Sequence, residues 1–140
     1  MLTTEEHIAY WKNLAESDLE VARGFMRRRH DLHYCLFFGH MSLEKLLKAL
    51  VVAVTQEMPP RVHDLLRLAE KARLILSEEL TEKFDTFNSF NLEARYPDYK
   101  LAFYKRCTPQ FTAEKFLQIE ETYSWLQEQF PKPSSGTLGI

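Results

Sequence analysis

The chain has 140 residues, of which 45% are hydrophobic and 27% are charged, and its formal net charge at pH 7 is −2. This length suits one globular domain with one core, and the composition is ordinary for a soluble globular protein. A slightly negative chain has no general affinity for polyanions, so any binding of nucleic acid would require a local basic patch.

Neither secretion nor membrane insertion is predicted. The N-terminal residues 1–7 have no basic segment followed by an apolar one, as a signal peptide would. The apolar run at residues 46–54 is too short, and too closely flanked by charge, to span a bilayer. Cys35 and Cys107 lack metal-ligand spacing, which is typical of reduced thiols in a cytosolic protein. We therefore expect a cytoplasmic protein with no metal site and no cofactor.

The first two predicted elements are long helices. Thr3 followed by Glu6 predicts a capping box, after which apolar residues recur at helical steps until the helix ends near residues 27–30. Asp31 is placed to cap a second helix that runs to about Thr55. This second helix is apolar on most sides, so we expect the other helices to wrap around it.

Four positions of the second helix depart from its apolar pattern. Glu44, Lys45 and Lys48 place charges on turns that otherwise carry apolar residues. Gly39 lies in mid-helix, where glycine costs about 1 kcal/mol relative to alanine. A close approach of another helix would explain a glycine at this position.

Prolines and capping residues divide the middle of the chain. Pro59 and Pro60 stop the second helix, because proline lacks an amide donor and restrains the residue before it. A third helix begins near His63 or Asp64. Ser77 is placed to cap a fourth helix, whose apolar residues again recur at helical spacing.

The last third of the chain is predicted as a loop followed by a helix. Residues 91–107 interrupt the helical periodicity around Pro97 and are interpreted as an ordered loop rich in tyrosine and charge. Thr108 then caps a last helix that begins with a proline and runs to about Gln129.

These elements predict an all-α fold, an up-and-down bundle of four to five helices. Residues 1–130 are expected to form a single domain, and residues 131–140, rich in proline, serine and glycine, a flexible tail. Burial of each large apolar side chain contributes roughly 1.5–3 kcal/mol, which draws otherwise marginal helices together.

Two small polar clusters are candidates for function. The first contains Arg23, residues 27–29, His30 and His33 at the end of the first helix. It is typical of a solvated helix end, although the same cluster could also face phosphate. The second is His63 with the aspartate that follows it, where a single histidine is more typical of a cap or a packing residue than of a zinc ligand.

A third polar cluster lies in the predicted loop. Its Arg95 and Lys100 can bind phosphate, while Tyr96 and Tyr99 can stack on a base. The alternative is that Arg95 and Asp98 pair with neighbouring side chains and that the tyrosines complete the core.

Three segments resemble the HEPN domain family in their order and spacing. They are SLEKLLKAL at residues 42–50, PPRVHDL at residues 59–65 and EARYP at residues 93–97. Together with Trp11 and the segment AESDL at residues 15–19, they extend the resemblance over most of the chain from about residue 8 to residue 128. HEPN domains are small helical domains that are often encoded beside a minimal nucleotidyltransferase.

The resemblance implies a four- or five-helix bundle that forms a homodimer. It also implies a role in handling nucleotides or RNA, commonly within a toxin–antitoxin pair. In the ribonuclease branch of the family, an arginine near the position of Arg95 is followed four to six residues later by a histidine. Here no histidine occurs anywhere after His63. Without that imidazole, cleavage of RNA loses its usual proton shuttle.

Three functions follow as alternatives. The leading interpretation is a non-catalytic HEPN-type module that binds a nucleotide or RNA and pairs with a separate nucleotidyltransferase. The second is a ribonuclease in which Arg95, Tyr99 and His63 cooperate, and the third is a purely structural dimerisation domain. No catalytic residue is predicted. The candidate ligand-binding residues are Arg95, Tyr96, Asp98, Tyr99, Lys100, Lys45, Lys48 and His63.

Overall fold

Six α-helices make up the part of the chain that the structure, a computed structural model, describes, which is residues 1–132. They are α1 (Thr4–Arg28), α2 (Leu32–Thr55), α3 (Leu65–Lys71), α4 (Glu78–Arg95), α5 (Pro97–Arg106) and α6 (Pro109–Gln127). Residues 1–132 contain no β-strand. The all-α class is confirmed, with six helices rather than four or five. Most of the predicted tail, residues 133–140, lies outside the described residues.

Most of the predicted helix ends are confirmed, because local side-chain chemistry determines them. Thr3 and Glu6 form both hydrogen bonds of the capping box. The hydroxyl groups of Ser77 and Thr108 accept hydrogen bonds from backbone N–H groups in the first turns of α4 and α6. At α3 the capping residue is Asp64, whose carboxylate accepts hydrogen bonds from the first turn.

Two predictions about local structure are wrong. Asp31 stands at the N-terminus of α2, but its backbone is left-handed (φ 49°, ψ 52°) and its side chain forms no capping hydrogen bond. The predicted loop at residues 91–107 is mostly helical, because α4 continues to Arg95 and α5 begins directly afterwards at Pro97. Proline fits the first turn of a helix, so Pro97 marks the start of a helix here rather than a loop.

The second helix is central, as predicted. α2 contacts each of the other five helices, and α1 packs along it over the longest stretch. The core of the bundle is rich in aromatic residues. Four of them are fully or almost fully buried: Phe84, Phe87 and Phe90 from α4, and Phe103 from α5. Among residues 1–132, no helix combines the length and the apolar character that crossing a bilayer would require.

Gly39 allows α6 to lie close against α2. A Cβ atom at this position would be 2.7 Å from Cδ1 of Ile119 and 3.4 Å from its Cγ2. The first distance is shorter than a carbon–carbon contact permits. The close approach of a helix, which the sequence analysis gave as the reason for this glycine, is therefore confirmed.

We predict that Gly39→Ala and Ile119→Val are energetically coupled. Alanine alone gains up to about 1 kcal/mol of helix propensity, but its methyl group overlaps Ile119, and overpacking costs about 1–3 kcal/mol. Ile119→Val removes Cδ1, so Gly39→Ala should stabilise the protein in that background. Urea unfolding of the wild type, both single variants and the double variant measures the coupling. Additive effects would contradict the prediction.

Candidate functional site

A polar network connects α2, the turn before α3 and the end of α4, and we call it the α2–α4 network. The spacing of its residues within each helix is three or four, so they lie on one face of that helix. Its members are His40 and Glu44 from α2, His63 and Asp64 from the turn, and Asn88, Asn91 and Arg95 from α4.

Asn88 joins α4 to the start of α3. Its Oδ1 accepts a hydrogen bond from the backbone N–H of Leu65 at 3.0 Å, and its Nδ2 donates to Oδ1 of Asp64, also at 3.0 Å. A backbone N–H can only donate, so this contact fixes which end of the Asn88 amide is oxygen. The same Asp64 oxygen caps α3 by accepting from the backbone N–H of Leu66.

His40 lies at the centre of the network and has no exposed surface. Its Nε2 is 3.0 Å from the backbone oxygen of His63 and 3.3 Å from Oδ1 of Asn88. Both neighbours are acceptors, so Nε2 carries the ring proton. Its Nδ1 is 3.4 Å from Nδ2 of Asn91 and accepts from it. Burial lowers the pKa of His40 to about 4, so the imidazole is neutral at pH 7.

Glu44 is a buried carboxylate with two nitrogen partners. Its side chain is 2% exposed, and its two oxygens accept from Nζ of Lys48 and Nδ1 of His63, each at 2.9 Å. The ammonium group of Lys48 offsets the cost of burying this charge. Because Nδ1 of His63 donates to the carboxylate, Nε2 is the unprotonated atom of the neutral ring, and this side chain is 55% exposed.

Arg95 is the last residue of α4, and its side chain is exposed. One guanidinium nitrogen donates to Oδ1 of Asn91 at 3.1 Å, and the guanidinium carbon lies 5.7 Å from the centre of the Tyr96 ring. No carboxylate within residues 1–132 pairs with it. Arg95 therefore has a neighbouring side chain, that of Asn91, as its partner, but no carboxylate.

An open depression of about 220 Å³ lies beside the network. It is lined by His63, Asp64, Asn88, Asn91 and Leu92. Pockets that enclose a drug-sized ligand usually have volumes of about 300–1,000 Å³. This depression is therefore large enough for a phosphate group or one part of a larger ligand, but it would not enclose a whole nucleotide.

The structure places the two lysines of α2 away from Arg95. Nζ of Lys45 donates to Oδ2 of Asp18 at 2.5 Å and so ties α2 to α1. Lys48 is almost completely buried, with its Nζ held by Glu44 and 5.3 Å from the centre of the Trp11 ring. Each lysine is therefore held in an ion pair, Lys45 between two helices and Lys48 within one. Neither is placed to bind a ligand together with Arg95.

The other predicted ligand residues lie at the N-cap and in the first turns of α5. Tyr96 and Tyr99 are about half exposed, and Asp98 lies in the first turn of the helix. Nζ of Lys100 is 5.1 Å from the centre of the Tyr34 ring, so this side chain reaches toward the N-terminus of α2. Lys100 therefore does not share the hydrogen-bond network of Arg95.

The basic cluster at the end of α1 is only partly available to a ligand. Arg23 donates to Glu20 and to Glu120, which ties α1 to α6. His33 is buried, and burial lowers its pKa. The arginines at residues 27–29 remain exposed.

Comparison with known proteins classifies the chain. The sequence model of the HEPN domain matches residues 8–129. The chain belongs to the HEPN domain family. Its structure is similar to the crystal structure of TT1696 from Thermus thermophilus, with a TM-score of 0.71 and 20% sequence identity, over 86% of this chain and 96% of that one. This likeness concerns the fold. No curated protein matches the sequence.

Three residues of the α2–α4 network in this HEPN domain were not predicted from the sequence. They are His40, Asn88 and Asn91. The signal that could have found two of them is spacing, because Asn88, Asn91 and Arg95 share one face once α4 is extended through residue 95. The loop interpretation of residues 91–107 concealed that pattern. His40 is one polar residue in an apolar helix, and nothing in the sequence identifies its partners.

We predict that His40 makes the stability of this HEPN domain depend on pH. Folding holds its pKa at about 4, below the ordinary value of 6.5. As the pH falls through that interval, the unfolded chain takes up a proton that the folded protein does not. Stability that is present above pH 6.5 is therefore lost as the pH approaches 4.

His40→Gln cannot titrate and provides the comparison. Between pH 7 and pH 5 the wild type should lose roughly 2 kcal/mol more unfolding free energy than the variant, given 1.36 kcal/mol for each pKa unit. Urea unfolding at the two pH values measures this difference. Equal losses in the two proteins would show that His40 does not titrate in this way.

Proposed function

We propose that this HEPN domain binds a nucleotide or RNA at the exposed end of α4 and does not cut it. The observation that carries the proposal is the setting of Arg95, an exposed guanidinium held by the neutral amide of Asn91 and paired with no carboxylate in residues 1–132. A guanidinium held in this way keeps its charge and most of its N–H donors for a phosphate group.

The neighbouring side chains suit the rest of such a ligand. Tyr96 and Tyr99 offer exposed ring faces, and bases of any sequence can stack on such rings. Lys100 adds a second positive charge farther along α5. The depression beside Asn91 provides room for one phosphate or sugar group. Asp98 supports the site indirectly, because a carboxylate in the first turn of α5 interacts favourably with the helix dipole.

We also propose that the domain forms a homodimer and pairs with a separate minimal nucleotidyltransferase in a toxin–antitoxin-like system. The support for a protein interface comes from one face of α5, where Pro97, Leu101 and Tyr104 line an open depression of about 370 Å³. Leu101 is 63% exposed and Tyr104 is half exposed. Exposed large apolar side chains grouped in this way are typical of surfaces that bind another protein.

A second candidate function is cleavage of RNA, and the pair formed by Glu44 and His63 favours it. A buried carboxylate that accepts from Nδ1 holds an imidazole with its Nε2 free, which is the arrangement of a general base. In this alternative, Arg95 binds the phosphate and His63 takes the proton from the attacking hydroxyl group. The absence of a histidine after Arg95 makes binding without cleavage the leading proposal.

We predict that Arg95→Ala weakens RNA binding by roughly 1.5–3 kcal/mol, about ten- to a hundredfold, because a charge-assisted contact is lost. Fluorescence anisotropy of labelled ten-nucleotide oligouridine, titrated at several salt concentrations, measures both the affinity and its salt dependence. The slope of log affinity against log salt should fall by about one. The melting temperature should change little, because Arg95 is exposed.

Arg27→Ala is the matched control, since Arg27 is an exposed arginine that lies against α6 rather than beside the network. Equal losses of RNA affinity in Arg95→Ala and Arg27→Ala would show that binding depends on basic charge in general and not on Arg95 in particular. Gel analysis of the recovered RNA tests the second candidate. If the wild type cleaves the RNA and both His63→Ala and Glu44→Gln do not, the domain is a ribonuclease and the proposal of binding without cleavage is wrong.

We predict that the purified domain is a dimer at micromolar concentration and that Leu101→Asp makes it monomeric. A carboxylate in an apolar interface loses its hydration without gaining a partner. Light scattering measures the mass, and circular dichroism checks that the helices remain. Ile75→Asp is the control, because Ile75 is 95% exposed and lies between α3 and α4. A monomeric wild type, or a monomer produced by both variants, would contradict this interface.

A further inference from the structure

The direction of every hydrogen bond between Leu65 and Arg95 can be assigned. The chain of bonds begins at the backbone N–H of Leu65, which donates to Oδ1 of Asn88 at 3.0 Å. That oxygen and the backbone oxygen of His63 both face Nε2 of His40, at 3.3 Å and 3.0 Å. Nε2 must therefore be a donor, and Nδ1 of the neutral ring has only a lone pair.

From His40 the hydrogen bonds run outward to Asn91 and Arg95. Its Nδ1 can only accept, so the Asn91 atom 3.4 Å away is the amide nitrogen. That nitrogen also lies 3.4 Å from Sδ of Met41, which is a weak acceptor. The amide oxygen of Asn91 then faces outward and accepts from Nη1 of Arg95 at 3.1 Å.

Both ends of this chain require the same orientation of Asn91. Arg95 has only donors, so it requires the amide oxygen, and unprotonated Nδ1 of His40 requires the amide nitrogen. If the amide turned over, two donors would meet at Arg95 and two acceptors would meet at His40. A buried polar group without a partner is costly, so only one arrangement is stable.

We infer that His40 and Asn91 are positioning residues that aim the guanidinium of Arg95 at its ligand, through hydrogen bonds whose direction originates at the backbone of α3. The inference rests on the proposed binding of phosphate by Arg95. His40 does not touch the ligand, since it is completely buried, and Asn91 lines the depression but is only 6% exposed. They act by restricting the side chain of an exposed residue before the ligand arrives.

The expected effect of losing this restraint is modest and specific. An arginine that is free to rotate must be ordered when the ligand binds, and ordering one long side chain weakens affinity by about three- to tenfold. The positive charge remains, so the salt dependence of binding should not change. Removal of Arg95 itself should lower both the affinity and the salt dependence.

Two substitutions at His40 separate positioning from stability. Asparagine can place an oxygen where Nδ1 of the ring was, which keeps the acceptor for Asn91. Glutamine can place a nitrogen where Nε2 was, which keeps the donor to His63. His40→Asn loses the donor shared between His63 and Asn88, and His40→Gln loses the acceptor for Asn91, so both variants should be destabilised. Only His40→Gln breaks the chain that leads to Arg95.

The first test measures oligouridine affinity by anisotropy. His40→Gln and Asn91→Ala should bind about three- to tenfold more weakly than the wild type, whereas His40→Asn should bind like the wild type. In the Arg95→Ala background, His40→Gln should have no further effect. Equal losses in His40→Asn and His40→Gln, or a loss that persists without Arg95, would overturn the inference. If Arg95→Ala binds as well as the wild type, the proposed function itself fails.

A second test needs no ligand. The ¹⁵N relaxation of the Arg95 side-chain Nε–H group, assigned with Arg95→Lys, reports how ordered that group is on the picosecond to nanosecond timescale. It should be ordered in the wild type and in His40→Asn, and as mobile as an exposed arginine such as Arg61 in His40→Gln and Asn91→Ala. A mobile Arg95 in the wild type would overturn the inference whatever the RNA measurements show.

Discussion

A helix that is surrounded by other helices must find partners inside the protein for the polar groups it buries, or lose their hydrogen bonds. α2 is such a helix. Apart from His33, whose Nδ1 has no partner, it buries four polar side chains, those of His40, Ser42, Glu44 and Lys48. An unpaired buried polar group costs about 1–3 kcal/mol, and an unpaired charge costs more. Ser42 satisfies its hydroxyl within the helix by donating to the backbone oxygen of Gly39. The other three depend on one another or on neighbouring elements, and their requirements decide what can pack against this part of α2.

This constraint explains why three separated segments meet. His40 requires an acceptor, which the backbone of His63 supplies, and Glu44 requires a second donor, which the ring of His63 supplies. The turn before α3 is thereby fixed against α2. Asn88 then holds α4 to the same turn through Asp64. Each contact is too weak to organise the bundle alone, but together they leave one arrangement in which the buried groups of the α2–α4 network are paired.

The HEPN resemblance rested on segments that contain several of these residues, and the structure gives those segments a physical role. Glu44 and His63 come from two of the segments and bind each other directly. Arg95 comes from the third and is joined to them through His40 and Asn91. Most residues of the network are buried or partly buried and hold the helices together. Within the network, His63, Asp64 and Arg95 are exposed to solvent.

How much of this the sequence could predict depends on whether the determining contact is local. The caps at Thr3, Ser77 and Thr108 involve residues three positions apart, and all were predicted correctly. Pro97 is compatible with both a loop and a helix start, so local rules did not settle residues 91–107. The partner of Arg95 depends on the orientation of Asn91, which depends in turn on His40, 51 residues earlier in the chain. Spacing within one segment carries no information about that.

The charges around Arg95 bear on how a chain with net charge −2 could bind an anion at the proposed site. Within residues 1–132, three arginines donate hydrogen bonds from the guanidinium to another side chain. Arg23 and Arg106 donate to carboxylates, which cancel most of their field. Arg95 donates to a neutral amide, so its position is fixed and its charge is retained.

The identity of the residue at position 91 is therefore the decisive feature of the proposed site. A carboxylate there would hold Arg95 as firmly as asparagine does, but it would neutralise the guanidinium and present an acceptor to Nδ1 of His40. An apolar residue at position 91 would leave the positive charge of Arg95 in place, but it would no longer hold the Arg95 side chain in one orientation. Asparagine combines restraint with retained charge, because one end of its amide donates to His40 while the other accepts from Arg95. In the proposed site, the local positive charge results from the absence of a carboxylate beside Arg95 rather than from a cluster of arginines.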